Sequence, residues 1–409
     1  SRRLVVVGAS LAGLRAAEAA RRSGYTGRIT LVGAEEHLPY DRPPLSKAML
    51  EGTHPVAPTP FRTRDHLVDL KIDLMLGAAA SRLDPGAREV HVGAEAVPYD
   101  SLVIATGART RQLRGTAEVE GIVGLRTIDD AVQIKAAFEA GARTVVVGAG
   151  FIGSEVASSA RKRGLPVVLL ESLKVPLTRS VGGEVGHICA ELHRTNGVDL
   201  RTGTTVARVE THDGHVTGVV LDDGSSITAD LVVVGIGVDP DTSWLTGSGI
   251  ALHEQDRGVL CGADLRTSVP GVYAAGDVAH WPNALFDNQL MRLEHWTNAA
   301  EHGAVAPVLA AVVVGVEEVD PHRPQRIRRD PQEGDRVPAD EPGCPVGHGD
   351  PGARVGLTAA RRGRRRQGGE LVAGPAAAGR TLGQRHPPGQ ARRPVDPRAR
   401  RRLRLAALL

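Results

Sequence analysis

Short apolar runs punctuate this chain, and most of them end on glycine. Residues 4 to 8, "LVVVG", are too short for a helix and carry no polar alternation, which predicts a parallel strand buried on both faces. The turn "GASLAG" follows, then "LRAAEAARRSG", a run of good helix formers closed by Gly24. "RITLVGAEE" predicts a second strand ending on acids. The same order returns at 144 to 172 in "TVVVGAGFIGSEVASSARKRGLPVVLLES". Three further stretches, "YDSLVIATGART", "ADLVVVGIGVDP" and "SVPGVYAAGDVAH", each run an apolar strand into a glycine turn. Strands alternating with helices predict an α/β chain: two Rossmann-like, three-layer (ββα) dinucleotide-binding domains.

The turns carry the candidate chemistry. A strand, a glycine turn and a helix place a pyrophosphate on the helix N-terminus, where free N–H groups and the helix dipole favour an anion. In the first turn Gly8 permits the bend, Leu11 and Ala12 open the helix, and Gly13 lets helix and strand approach. Ser10 stands where the usual pattern has its middle glycine, so this turn alone is a weak match, and a βαβ unit that binds nothing is the bland alternative. Glu35 or Glu36 would hold a ribose hydroxyl, unless they are simply a solvated strand end. The second turn is a full match: Gly148, Gly150 and Gly153, with Phe151 and Ile152 between them and Glu171 ending the next strand. A carboxylate there bonds the ribose hydroxyls of NADH and repels the 2′-phosphate of NADPH. Lys174, three residues on, argues mildly the other way, but a lysine so placed is more often simply exposed.

Composition changes the picture in two places. Three widely spaced cysteines form neither a CxxC pair nor a disulfide framework, and no metal site is expected. The formal charge of +3 is uneven: from Ala306 onward 20 arginines face 11 acids, a balance of +9, which leaves −6 for the rest. The body therefore shows no nucleic-acid footprint. The apolar start of the chain is interrupted by a polar turn, unlike a signal peptide, and "APVLAAVVVGV" is too short for a membrane span.

Two dinucleotide turns, "YDRPPLSK" at 40 to 47 and the three strand–turn stretches, in this order, resemble the flavoprotein pyridine-nucleotide oxidoreductases. Within them the likeness is to NADH-dependent ferredoxin reductases, and it runs from Arg3 to about Gly303. The resemblance implies FAD and NADH as cofactors and a discontinuous FAD domain (1–113 and 240–305) with an NAD domain (114–239) between. It implies FAD contacts from Arg42 to the pyrophosphate, from Ala80 by backbone, and from the Thr106–Gly107 turn. Arg126, Asp277 on the ribitol, and a helix starting near Trp296 at the flavin N1–C2=O edge complete them. It gives Gly235 and Gly237 to the second strand–turn. Lys47 would lie near flavin N5 and pair with Glu155, with Phe151 covering the ring. In related disulfide reductases the stretch after the first ribose acid carries a cysteine; "YDRPPLSK" has none, so electrons would pass singly to a small [2Fe–2S] ferredoxin or rubredoxin. That partner would feed a cytochrome P450 or Rieske-type oxygenase in the cytoplasm, and Arg62 and Arg64 would be part of its basic dock. The rival readings are an NADH oxidase and a flavin-binding signalling protein similar to apoptosis-inducing factor.

The resemblance stops before 306–409. That segment has no aromatic residue and is rich in Arg, Pro and Gly, poor means to bury a core. A basic arm, an unrecognised domain and a GC-rich gene read out of frame after about position 303 all fit. The last is favoured, because it yields this composition without selection for folding.

Overall fold

The computed structural model describes residues 2–52 and 59–313. In chain order the elements that matter are β1 (Arg3–Val7), α1 (Leu11–Arg22), β2 (Arg28–Gly33), β3 (Ile72–Leu76) and β4 (Ser101–Ile104). There follow β5 (Ile122–Gly124), α2 (Ile128–Glu139), β6 (Thr144–Val147), α3 (Phe151–Lys162), β7 (Val167–Glu171), α4 (Thr178–Thr195), β8 (Asp199–Thr202) and β9 (Leu231–Val234). The chain returns through β10 (Val272–Ala274), β11 (Ala279–Asn283) and β12 (Gln289–Met291) to α5 (Trp296–Val313).

Two five-stranded sheets result. The first has the order β10-β4-β1-β2-β3, the second β8-β7-β6-β9-β5, and every pairing in both is parallel. Their central strands are the continuous apolar runs of the sequence: Val5 and Val6 in β1, and Val145 and Val146 in β6, are at most 1 % exposed. Strands buried on both faces need helices on both, and the alanine face of α1 (Ala16, Ala17, Ala20) supplies one cover. β1 stops at Val7, one residue short of the predicted run, because Gly8 has already turned to φ +119°. α1 likewise ends at Arg22, and Gly24 follows at φ +85°. α5 crosses α1 closely; a Cβ on Gly303 would lie 2.3 Å from the Ala12 carbonyl oxygen.

The chain leaves the first sheet and returns to it through two short strands, Ala108–Thr110 and Val238–Pro240, which pair antiparallel. Exit and re-entry thus lie side by side. α2 opens on a capping box, Thr127 accepting from the Asp130 N–H while the Asp130 carboxylate accepts from the Thr127 N–H. No described helix is long and apolar enough to cross a membrane. The segment 314–409, and with it the expectation of an out-of-frame tail and the position of Cys344, lies outside the described residues.

Candidate functional site

Each sheet carries one glycine turn at the C-terminal ends of its central strands, and the two turns are built alike. A Cβ on Gly13 would stand 1.9 Å from the Gly8 carbonyl oxygen; on Gly153 it would stand 1.9 Å from that of Gly148. Gly8 and Gly148 in turn press on the next strand, with virtual Cβ distances of 2.0 Å to the Ala105 oxygen and 2.4 Å to the Gly235 oxygen. These four glycines are required by the protein's own packing. Gly150 is not: its virtual Cβ meets nothing nearer than 4.0 Å. Ser10, the equivalent residue of the first turn, carries a side chain there without strain, and its hydroxyl accepts from Arg42 Nε at 3.3 Å.

Two cavities, of about 430 and 210 Å³, meet at the first turn and share Ser10, Arg42, Ala105 and Thr106. The smaller holds Gly8, Glu35, Ala80, Asp241 and Trp244 on its wall. Glu35, and not Glu36, faces it. Glu35 is held by Arg42 at 2.7 Å and by the Tyr40 hydroxyl at 2.5 Å. Burial, with the Glu35 hydrogen bond and charge, pushes the Tyr40 phenol well up against the opposing pull of Arg42. Arg42 also donates to the backbone carbonyl of Arg126. Asp241 is raised by burial despite Arg109 nearby, and its carbonyl accepts from Thr106 Oγ1 at 2.7 Å.

The larger cavity brings the two halves together. Leu11, Ala12 and Gly107 line it from the first half, Phe151, Ile152 and Glu155 from the second, and Arg126 and Asp277 close one side. The ion pair Arg126–Asp277 measures 2.9 Å. Lys47 and Glu155, 108 positions apart in the chain, pair at 2.8 Å, and Ser46 Oγ donates to the same carboxylate. Lys47 is half-exposed rather than buried, since the cavity mouth opens beside it. Phe151 is 56 % exposed and lies on the cavity wall. α5 begins at Trp296, whose indole N–H donates to Asp41 at 3.0 Å across the mouth. No described cysteine lines either cavity. Cys261 is packed away, and burial pushes its thiol up to about 12, the state of an inert residue.

Two placements differ from what the pattern suggested. Glu171 ends β7 as predicted, but it is 9 % exposed, and its two oxygens accept from the N–H groups of Ala149 and Leu173 at 2.9 Å each. It therefore shapes the second turn, with Gly235 and Gly237 (φ +102°) on the adjoining strand end. Arg62 turns inward to Glu18 of α1, 3 % exposed, at 2.7 Å; only Arg64 of the expected basic pair stays exposed. Lys174 is exposed.

Sequence reasoning missed a cluster behind the cavity. Asp256 receives Arg292 Nε at 2.9 Å, His280 Nε2 at 2.9 Å and the Gly258 N–H at 3.1 Å. His253 lies 3.2 Å from the same carboxylate, its ring stacked on His280 at 4.3 Å. Burial opposes ionisation of Asp256, yet the Gly258 N–H, Arg292 and His280 together hold its carboxyl well below the usual range. His253, Asp256 and His280 have ligand atoms within 4.8 Å of one another, the spacing of a cation site. The rings lie 13° from parallel, so no ion could sit in both ring planes, and the Arg292 guanidinium already occupies the carboxylate.

The paired turns and joined cavities fit a long dinucleotide with a ring system beside a second nucleotide site, and comparison with known proteins agrees. Residues 2–303 match the family model described as pyridine nucleotide-disulphide oxidoreductase. Rhodocoxin reductase of Rhodococcus erythropolis is 37 % identical over 76 % of this chain and 72 % of its own length. The biphenyl dioxygenase system ferredoxin–NAD(+) reductase component of Paraburkholderia xenovorans is 41 % identical over 68 % of each. Among solved structures, a ferredoxin reductase from Rhodopseudomonas palustris superposes with a TM-score of 0.71 at 32 % identity, covering 76 % of both chains. The covalent putidaredoxin reductase–putidaredoxin complex does so with 0.71 at 34 %, covering 76 % of this chain and 75 % of that one. With two Rossmann-like sheets, two glycine turns and these relatives, the chain belongs to the pyridine nucleotide-disulphide oxidoreductase family, whose cofactors are FAD and a nicotinamide dinucleotide.

Proposed function

We propose that this chain is an NADH-dependent flavoprotein reductase that passes electrons to a small [2Fe–2S] ferredoxin or a rubredoxin serving an oxygenase, in the cytoplasm. The observation that carries the reading is the Lys47–Glu155 pair, which joins the 40–47 stretch to α3 at a cavity lined by no described thiol. A cysteine there would pass an electron pair to a disulfide; its absence leaves single-electron transfer to an acceptor outside.

FAD fits the residues present, since the Gly8–Gly13 turn packs closely and two cavities adjoin it, sharing Ser10, Arg42, Ala105 and Thr106. In this reading residues 1–113 and 240–305 form the FAD domain and 114–239 the NAD domain, a division supported by the two sheets and the paired connecting strands. FAD, when bound, would supply the two-electron acceptance from NADH and the single-electron release that the reaction needs. Arg42 would neutralise the pyrophosphate, Glu35 would hold the ribose and Asp277 the ribitol. The N-terminus of α5 presents its dipole to the flavin edge, where negative charge is favoured. Lys47 and Glu155 would orient the nicotinamide carboxamide, and Phe151 would cover the ring face. Glu171 selects NADH by opposing a 2′-phosphate.

The test is reconstitution with FAD, anaerobic titration with NADH, and cytochrome c reduction with and without an added [2Fe–2S] ferredoxin. The reading expects NADH to bleach the flavin and cytochrome c reduction to need the ferredoxin. Fast turnover on oxygen that ferredoxin does not alter would favour an oxidase.

A further inference from the structure

Arg292 touches neither cavity, yet it holds two residues that line the larger one. It sits just after β12, its side chain 12 % exposed. Its Nε donates to Asp256, its Nη1 donates to the backbone carbonyl of Asp277 at 3.0 Å, and the same nitrogen pairs with Glu294 at 2.8 Å. Asp277 and Glu294 line the cavity, and Trp296, two residues on, starts α5.

From this we infer that Arg292 is a positioning residue for the flavin. It ties the Gly276–Val278 turn to the start of α5, and the ionised Asp256 behind it holds its fork in place. The inference rests on the reading of the cavity as a flavin site.

The turn needs such a tie. Gly276 stands at φ +77°, so the backbone leaves β10 in a left-handed bend, and among described side chains Arg292 is the one that accounts for the Asp277 carbonyl. From the other side Arg126 holds the Asp277 carboxylate. Asp277 is thus gripped by two guanidiniums, one on its side chain and one on its main chain. The planar fork of Arg292 serves carboxylate, carbonyl and second carboxylate at fixed angles, whereas a lysine ammonium is a single point with a flexible stem. Asp256 in turn is fixed by Gly258 and His280, and Gly258 leaves room for them, since a Cβ there would lie 2.6 Å from the His280 ring.

The experiment uses the full chain and FAD itself. FAD is titrated into the apoprotein for wild type, Arg292→Met, Arg292→Lys, Asp256→Asn and, as a control away from the cavities, Arg143→Met. Flavin fluorescence gives the Kd, the visible band reports the ring environment, and thermal unfolding of each apoprotein is recorded. The expected result is a Kd raised about tenfold in Arg292→Met with a shifted flavin band, and a smaller rise of the same sign in Arg292→Lys and Asp256→Asn. Adding Asp256→Asn to Arg292→Met should cost little more, since both act through one guanidinium. Arg143→Met should leave Kd and band unchanged. Lowered melting temperature with unchanged Kd and band in the Arg292 variants would overturn the inference, because Arg292 would then be scaffold alone. If Arg292→Met does not fold, unchanged Kd and band in both Arg292→Lys and Asp256→Asn overturn it equally. A wild-type chain that binds no FAD sinks the flavin reading and this inference together, whereas a wild type that binds it beside unaffected variants sinks this inference only.

Discussion

His302 sets up a measurable pH dependence of stability. It lies on α5, 8 % exposed, with its ring edge-on to Trp281 at 4.3 Å and its Nδ1 without a hydrogen-bond partner among the described residues. Burial lowers its pKa from 6.5 to about 4, against a smaller raising effect from Asp277. The drop corresponds to about 3 kcal/mol of preference for the neutral ring. Because the folded value is the lower one, the unfolded chain takes up the proton first. Stability is therefore lost as pH falls from 6.5 through about 4 and recovered as it rises. At pH 5 the loss works out to about 2 kcal/mol. The assay is urea unfolding of the FAD-loaded chain at pH 7 and pH 5, for wild type and His302→Gln, which keeps a neutral polar side chain but does not titrate. The wild type should lose about 2 kcal/mol more than the variant between the two conditions. His193 and His280 are also lowered by burial, but they are common to both chains. Asp230, held at about 2 chiefly by its hydrogen bond from Arg143, loses its contribution only below 3.8, outside the assay. Equal losses in the two chains would refute the argument and mean that the ring is already hydrated in the fold.

Further outcomes are expected. NADH should reduce the flavin at least ~100-fold faster than NADPH, because a carboxylate opposing a phosphate costs several kcal/mol; equal stopped-flow rates would end the role given to Glu171. Lys47→Met and Glu155→Gln should each leave FAD bound but slow its reduction, with the double variant less than additive; additive losses would show the 2.8 Å pair to be uncoupled in function. Gly13→Ala should prevent folding or strip FAD from the chain, since its Cβ would lie 1.9 Å from a carbonyl oxygen; a normally melting, flavin-replete variant would contradict the turn geometry. Translating the coding DNA after codon 303 in the other two frames should yield an aromatic-rich segment with a "WSDQY"-like string; stops and no such pattern in both frames would refute the out-of-frame reading.

Much of this architecture was legible because it is local. A strand, a glycine turn and a helix declare themselves within thirty residues, and both sheets follow from such units. The Lys47–Glu155 contact was reached through resemblance, and the two residues do meet. The Arg292 hub was not legible, since it depends on contacts among residues 253, 256, 277, 280 and 292 that no periodicity encodes. The inward turn of Arg62 was missed for a related reason. Glu18 lies among alanines in α1, and nothing in "AAEAA" says that the acid is buried and held by arginines from its own helix and from beyond it. Glu171 looked like a surface ligand because its spacing was right; that its oxygens also accept from the N–H groups of Ala149 and Leu173 is visible only once the turn is built.

The open space at Gly150 has a practical consequence. Four glycines of the two turns answer to the polypeptide, but this one answers to whatever the polypeptide binds, since the fold itself leaves a methyl group unopposed there. Gly150→Ala is thus a natural tool for dissecting the electron path. It should melt as the wild type does, keep its yellow colour and still exchange electrons with a chemical reductant, while losing its response to NADH. Such a chain would isolate the outgoing half-reaction, so that flow between flavin and protein acceptor could be timed without the incoming hydride setting the clock.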